Sequence, residues 1–316
     1  MAARTEPQSA RSVLMVRPVA FGSNPDTRAS NAFQQDQPKL AAPELQRLVL
    51  REFEGVAQAL DRAGVEVLAM DDDPDPPRPD AVFPNNWVSF HADGTIVLYP
   101  MLAPSRRLER RTEILERLSK QFRITRTIDL TEHERVDAFL EGTGSLVLDR
   151  MHRLAFACLS PRTHLDALGD FAQQLDYEIV SFDAVDAGGT PIYHTNVLMC
   201  IGERFAALCV ESIVDARRQA AIVRILEDAG HETIALTHAQ MNAFAGNMLE
   251  LQGRAGKVIA LSASALGALT ADQRRQLEKY GQIVASAIPT IEHCGGGSVR
   301  CMLAEIHLPP RQQPAA

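Results

Sequence analysis

The sequence predicts an α/β protein built as a ring of five similar units, a propeller-like array. Three observations point there. Patterns of β-hairpin and helix alternate along the whole chain. The hairpins begin near Asn86, Gly144, Asn196 and Asn247, and a last strand-like run, SVRCMLAEIHL, begins at Ser298; these anchors are 58, 52, 51 and 51 residues apart. A period near fifty with mixed hairpin and helix content marks a repeat architecture, not a stacked parallel sheet. The last unit holds one hairpin strand only. The lone N-terminal strand SVLMVRP (12–18) is expected to complete it and close the ring without free edges. The competing expectation is a generic α+β domain with coincidental spacing.

Taken in order, the chain opens with that strand, then an amphipathic helix over 43–64 and the strand VEVLAM. The hairpin NNWVSFHADGTIVLYP (85–100) turns at Ala92–Thr95, and GSLVLDRMHRLAFACLSP (144–161) turns at Asp149-Arg150. NVLMCIGERFAALCVES (196–212) turns at Gly202-Glu203, and NMLELQGRAGKVIALSAS (247–264) near Gly253–Gly256. Each joins two apolar runs across a Gly- or Asp-containing turn. Helices follow over 105–120, 163–175, 213–229 and 270–280, with apolar residues at three- and four-residue spacing. Thr163, Ser212 and Thr270 are expected as N-caps. The strands FRITRTIDL, YEIVSFD, ETIALT and QIVASAIP close the units.

Composition bounds the function. Of 316 residues, 46% are hydrophobic and 23% charged, which is enough apolar material for a large core. A net charge of −8 without a long basic run argues against a nucleic-acid partner. No run of about 18 apolar residues is present to span a membrane. The N-terminal MAARTEPQSARS does not read as a secretory signal. Five cysteines without a CxxC pair fit a reducing cytoplasm, the expected location. Neither HExxH nor paired Cys/His spacing occurs, so no metal is expected.

In a ring of repeats the starts of equivalent strands converge on the axis. Here they carry Asp80 to Asn86, Glu141, His194 with Asn196, Asn247, and Cys301 behind three glycines. Each has a plain structural reading: a satisfied core histidine, turn carboxylates and amides, a cysteine in an apolar strand. Their shared phase in the repeat favours one central cavity. HCGGGSVRCM (293–302) holds two cysteines, open to reading as a nucleophile, a disulfide or core. Cys301 lies inside the strand start while Cys294 precedes the glycines, so Cys301 is the expected nucleophile and His194 its acid/base.

The ordered set FPNNW, LEGTGSLV, LSPRTH, YHTNV and GGGSVRC resembles the guanidino-group-modifying superfamily of arginine deiminases, dimethylarginine hydrolases and amidinotransferases. The resemblance runs from about residue 12 to 310 and, with MVRPVAFGSN and SNAFQ, is closest to the citrulline-utilization hydrolase group. It implies a five-fold pseudo-symmetric α/β propeller, the pentein fold. It also implies Cys301 as nucleophile, His194 as proton carrier and Glu141 as a carboxylate that holds the substrate head group. Arg106 and Arg162 would grip a substrate carboxylate, for which the bidentate guanidinium is suited. Asp80, six before Asn86, would receive an α-amino group. The chain then divides into a disordered N-terminus (1–11), one α/β propeller catalytic domain (12–310) and a C-terminal tail (311–316).

Many guanidine-modifying members have aspartate where this chain has Asn86 and Asn196. A guanidinium offers only donors and positive charge, which carboxylates suit; a ureido group is neutral and adds a carbonyl acceptor, which an amide can meet. Both departures point to citrulline as substrate, hydrolysed to ornithine, ammonia and carbon dioxide without a cofactor. A guanidine substrate such as arginine is the alternative within enzymes. A non-catalytic propeller that binds a ligand is the alternative outside them. Residues 19–41, VAFGSNPDTRASNAFQQDQPKLA, read as a lid or a plain surface loop. Oligomeric state is not readable.

Overall fold

The computed structural model describes residues 6–36 and 40–311. Its strands are β1 (Ser12–Arg17), β2 (Glu66–Asp71), β3 (Val88–Phe90), β4 (Thr95–Leu98), β5 (Arg126–Asp129), β6 (Val147–Asp149), β7 (Leu154–Cys158) and β8 (Glu178–Phe182). They continue with β9 (Met199–Ile201), β10 (Phe205–Leu208), β11 (Glu232–Ala235), β12 (Leu249–Gln252), β13 (Lys257–Ser262), β14 (Gln282–Ser286) and β15 (Ala304–Ile306). They form five three-stranded sheets: β15-β1-β2, β3-β4-β5, β6-β7-β8, β9-β10-β11 and β12-β13-β14. Each is an antiparallel pair followed by a parallel outer strand. β1 pairs with β15, Ser12 opposite Ile306, so the N-terminal strand does complete the last unit.

The sheets are not hydrogen-bonded into a closed ring. Neighbouring inner strands, such as β15 and β3 or β6 and β9, meet through side chains. Each sheet therefore keeps an inner and an outer edge, against the expectation of none. The outer edge strands are short, four to six residues each, and β5 has one buried residue, Ile128. Such edges resist pairing with another chain.

The helix Ala42–Arg62 buries Leu45, Val49, Phe53, Val56 and Leu60, one stripe at three- to four-residue spacing, and lies on β2 and β14. Full burial of a side chain such as Phe53 contributes about 1.5–3 kcal/mol. Thr270 caps its helix in a capping box with Gln273. Thr163 and Ser212 do not cap: His164 and Asp215 stand at those N-cap positions and accept from the first-turn N–H groups. Among the described residues, no helix is long and apolar enough to cross a membrane. All five cysteines are free thiols, so Cys294 and Cys301 form no disulfide.

The apolar layers lie between sheets, while the axis is polar. Residues 6–10, expected as part of a disordered terminus, lie at one end of it and are buried except for Pro7. Gln8 Nε2 donates to the Leu148 and Ile201 carbonyls at 2.9 and 3.1 Å, and Gln8 Oε1 accepts from Arg150 N at 2.8 Å. Glu6 pairs with buried Arg150 at 2.9 Å. The segment supplies partners that inner strand ends otherwise lack, which no local pattern reveals. Residues 1–5 and 312–316 of the expected terminal segments lie outside the described residues.

Removing one partner of a buried ion pair strands the other charge, at about 3–5 kcal/mol. Glu6→Ala is expected to lower unfolding stability by that amount in urea titration. Glu44→Ala, on an exposed helix face, is expected to stay within about 0.5 kcal/mol of the parent.

Candidate active site

Five single turns precede the five inner strands: Pro84–Asn86, Gly142–Ser145, Thr195–Leu198, the turn 244–247 and Val299–Met302. The expected site residues sit on or beside these turns, one step earlier than the strand starts. Gly142 has φ +46, and a side chain there would meet Asn85 O at 2.3 Å. At Gly144 a Cβ would lie 2.3 Å from Asn86 Nδ2 and 2.7 Å from His194 Nδ1. The two glycines thus let three turns close on one another.

The turns border a pocket of about 280 Å³ that is partly open to solvent. Asp80, Asn86, Arg106, Arg162, His194 and Cys301, six of the eight predicted residues, line it. Phe83, Tyr193 and Gly295–Gly297 complete its walls. Glu141 and Asn196 stand behind the lining, 0% and 1% exposed.

Two amides reach the thiol. Asn247 Nδ2 is 3.3 Å and Asn196 Nδ2 3.5 Å from Cys301 Sγ. Arg300 N donates to Asn247 Oδ1 at 3.0 Å, which fixes that amide with its N–H groups toward sulfur. Asn196 therefore lies beneath the Cys301 thiol and does not line the cavity that it was expected to face. Cys294 is fully buried in an apolar cluster and does not reach the cavity.

His194 Nε2 lies 2.9 Å from Glu141 Oε2. A carboxylate only accepts, so Nε2 carries the proton and Nδ1 keeps a lone pair. Burial pushes the imidazole down to about 4 although the Glu141 hydrogen bond raises it, so the ring is neutral near pH 7. Burial raises Glu141, but Arg162, His194 and Arg106 outweigh it and hold the carboxyl below its usual range. Arg162 Nη1 donates to Glu141 Oε2 at 3.2 Å, and Leu102 N to Oε1 at 3.1 Å. Both Glu141 oxygens thus accept from protein donors, and the side chain stands behind the cavity where a head-group ligand was expected.

Arg106 grips Glu109 through Nε and Nη2, both at 2.9 Å, and donates from Nη1 to Asn86 Oδ1 at 2.8 Å. Nη2 also reaches the Phe83 carbonyl at 3.3 Å. Four of its five N–H donors are used within the protein, and one on Nη1 is left for the clasp that was expected of it. Asn86 Nδ2 has no protein partner. Asp80 accepts from Asn24 Nδ2 at 2.8 Å; burial pushes its carboxyl up, against Arg106.

Part of the 19–41 loop forms one cavity wall, through Thr27 and Asn31. Arg162 donates to Ser30 Oγ at 2.8 Å and Thr27 O at 3.3 Å, and Asn31 Nδ2 to Gly295 O at 3.1 Å. Residues 37–39 lie outside the described residues. Glu109, Asn24, Thr27, Ser30 and Asn31 were not expected here. They lie off the repeat phase, and only the three-residue spacing of Arg106 and Glu109 signals a pair. Asn247 shares the phase, which places it at the axis without revealing its hold on the thiol.

Gly144→Ala is expected to cost about 1–3 kcal/mol in urea unfolding, because the methyl overpacks three turns. Gly169→Ala, in an exposed helix interior with open space around the new methyl, is expected to gain up to about 1 kcal/mol.

The model of the eukaryotic N,N dimethylarginine dimethylhydrolase family matches residues 17–308. No curated protein sequence matches. Among solved structures, the N-terminal domain of ArgZ, an arginine dihydrolase from the ornithine-ammonia cycle in cyanobacteria, shares the fold. Its TM-score is 0.74 at 18% identity over 94% of this chain and 98% of that domain, in a Cys-to-Ser variant bound to substrate. An Asn-to-Ser variant of the same domain is covalently bound to a reaction intermediate. A Cys-to-Ala variant of AgrE with L-arginine gives 0.74 at 18% identity, over 96% of this chain and 41% of that one. A dimethylarginine dimethylaminohydrolase variant, as an adduct with S-methyl-L-thiocitrulline, gives 0.61 at 14% identity over 94% and 100%. The chain spans 41% of full-length ArgZ and of that AgrE chain. At these identities the structures establish the pentein fold, and the family match establishes the rest: the chain belongs to the N,N-dimethylarginine dimethylhydrolase family of the guanidino-group-modifying superfamily, enzymes that act on C–N bonds.

Proposed function

We propose that the protein hydrolyses citrulline at its ureido carbon, giving ornithine, ammonia and carbon dioxide. One observation carries this reading: Arg106 can only donate, so its 2.8 Å bond to Asn86 Oδ1 turns the unpartnered Nδ2 of a cavity-lining residue into a free donor. A ureido oxygen accepts from such a donor. A guanidinium has no acceptor and leaves it unpaired, which costs about 1–3 kcal/mol in a buried site.

In the proposed reaction Cys301 passes its proton to His194 Nδ1 and the sulfur attacks the ureido carbon. Asn196 and Asn247 donate to the sulfur and favour its charged form. A C–N bond breaks, and the leaving nitrogen takes the proton from His194. Water, deprotonated by His194, adds to the carbonyl, the C–S bond breaks and the thiol returns. The carbamate released decomposes to carbon dioxide and amine, so one water is consumed per citrulline. Glu141 keeps His194 in the right tautomer. Arg162 is assigned the substrate carboxylate, exchanging its Ser30 and Thr27 partners for it, and Asp80 the α-amino group. Arg106, expected beside Arg162 as a clasp, is instead assigned to orient Asn86.

A second reading takes arginine at the same carbon, hydrolysed twice through an enzyme-bound ureido stage. Three acids, Asp80 at the cavity with Glu109 and Glu141 behind it, against the two arginines Arg106 and Arg162 favour it, as does L-arginine bound to the AgrE variant.

Ornithine and ammonia release from citrulline, arginine and dimethylarginine separates these readings. Citrulline is expected to give the highest kcat/KM; a preference for arginine overturns the proposal. Asn86→Asp keeps the acceptor for Arg106 and loses the donor. It is expected to shift the citrulline-to-arginine ratio of kcat/KM toward arginine by about ten- to hundredfold, the worth of one charge-assisted hydrogen bond. An unchanged ratio removes Asn86 from specificity.

Cys301→Ser is expected to abolish turnover with the unfolding midpoint preserved, because a hydroxyl is a far weaker nucleophile. Cys294→Ser is expected to keep most activity. The reverse pattern would move the nucleophile to Cys294.

A further inference from the structure

We propose a zinc site at the face of the molecule opposite the catalytic cavity, formed by Asp149, His152 and His231. β6 runs from the catalytic turn Gly142–Ser145 toward Asp149, so the turn after it lies at the far end. β11 is parallel to β10, which runs antiparallel to β9, and β9 leads away from the turn Thr195–Leu198. His231, just before β11, is therefore at that same far end. The three residues join two neighbouring sheets.

The donor set is compact and partly preset. Asp149 Oδ2 lies 2.8 Å from His152 Nδ1 and 2.8 Å from His231 Nε2. One ligand atom from each residue falls within 4.8 Å of the other two. Asp149 is fully buried, and His152 N donates to its Oδ1 at 3.0 Å, which fixes the carboxylate with Oδ2 toward both imidazoles. Backbone support of a ligating carboxylate is the outer-shell feature that metal sites need. His231 is buried, whereas the His152 side chain is 39% exposed on a turn and opens a path for an ion.

Two imidazoles and one carboxylate suit Zn²⁺, with water at the fourth tetrahedral position. Ligand atoms about 2.0–2.1 Å from zinc stand roughly 3.3 Å apart. The triangle must open by about half an ångström, which the exposed His152 can supply. On zinc binding the proton of each neutral imidazole moves to its other ring nitrogen, and the nitrogen that donated to the carboxylate becomes a ligand of the ion. His231 Nδ1 has no partner to take up the N–H it then carries. That lack weakens the site by about 10- to 100-fold relative to one with a complete outer shell. No sequence motif announces it, because His231 comes from another repeat.

The test uses the full chain as Cys301→Ser, stripped with chelator, and titrates Co²⁺ and then Zn²⁺. Cys301→Ser removes the cavity thiol, and the remaining Cys209, Glu211 and His238 group carries a thiol whose cobalt complex shows sulfur-to-metal charge transfer. One Co²⁺ per chain is expected, with visible d–d absorption, no charge-transfer band and displacement by Zn²⁺. Adding His152→Ala, a change at a solvent-facing turn, is expected to weaken binding more than about 100-fold, beyond the loss of one outer-shell partner. It is also expected to abolish the rise in Tm that Zn²⁺ gives the parent. Absence of the d–d band, a charge-transfer band, or undiminished binding in the His152→Ala protein overturns the proposal.

Discussion

The site is organised around one buried carboxylate. Glu141 has no solvent exposure, and an isolated charge at such a depth is prohibitively costly. It is tolerated because donors from three parts of the ring converge on it: His194 from one inner turn, Arg162 from the loop after β7 and Leu102 N from the segment after β4. Meeting that demand aligns the ring units with one another. It also fixes the tautomer of His194 and aims Arg162, so the stability requirement and the arrangement that the proposed catalysis needs coincide. Gly142 and Gly144 are the steric half of the same constraint, since any side chain there would hold the turns apart.

Much of this was legible in sequence because repeats impose phase. The fifty-residue spacing located all four full hairpins and the lone partner strand, and the phase brought Asn86, His194 and Cys301 to one cavity. What escaped has no phase. The segment 6–10 plugs the axis through hydrogen bonds to carbonyls and charges more than a hundred residues away in sequence. The loop residues Thr27, Ser30 and Asn31 reach the cavity for the same nonlocal reason. Roles were harder than positions. Glu141 and Asn196 stand behind the cavity lining, against His194 and the thiol, and Arg106 meets Glu109, whose presence three residues on reads equally well as a surface helix pair.

Amide-for-acid changes gain meaning from their partners. Asn86 reads as an acceptor or a donor until Arg106 takes its oxygen. Asn247 is settled likewise by the Arg300 N–H. In both cases a group able only to donate sets the direction of an ambiguous amide. Asn86 Nδ2 is thereby left without a protein partner, while the thiol receives the Asn196 and Asn247 amides, and the proposed neutral substrate rests on that pairing.

The central claim, covalent catalysis by Cys301 on a ureido carbon, is tested most directly by acid quench during citrulline turnover, followed by intact-mass and peptide analysis. The account predicts an acyl adduct derived from citrulline, a carbamoyl group or its ornithine-bearing equivalent, on Cys301 and absent from the Cys301→Ser protein. Ornithine formation with Cys301 unmodified throughout pre-steady-state turnover, or an adduct carried by Cys294, would contradict it.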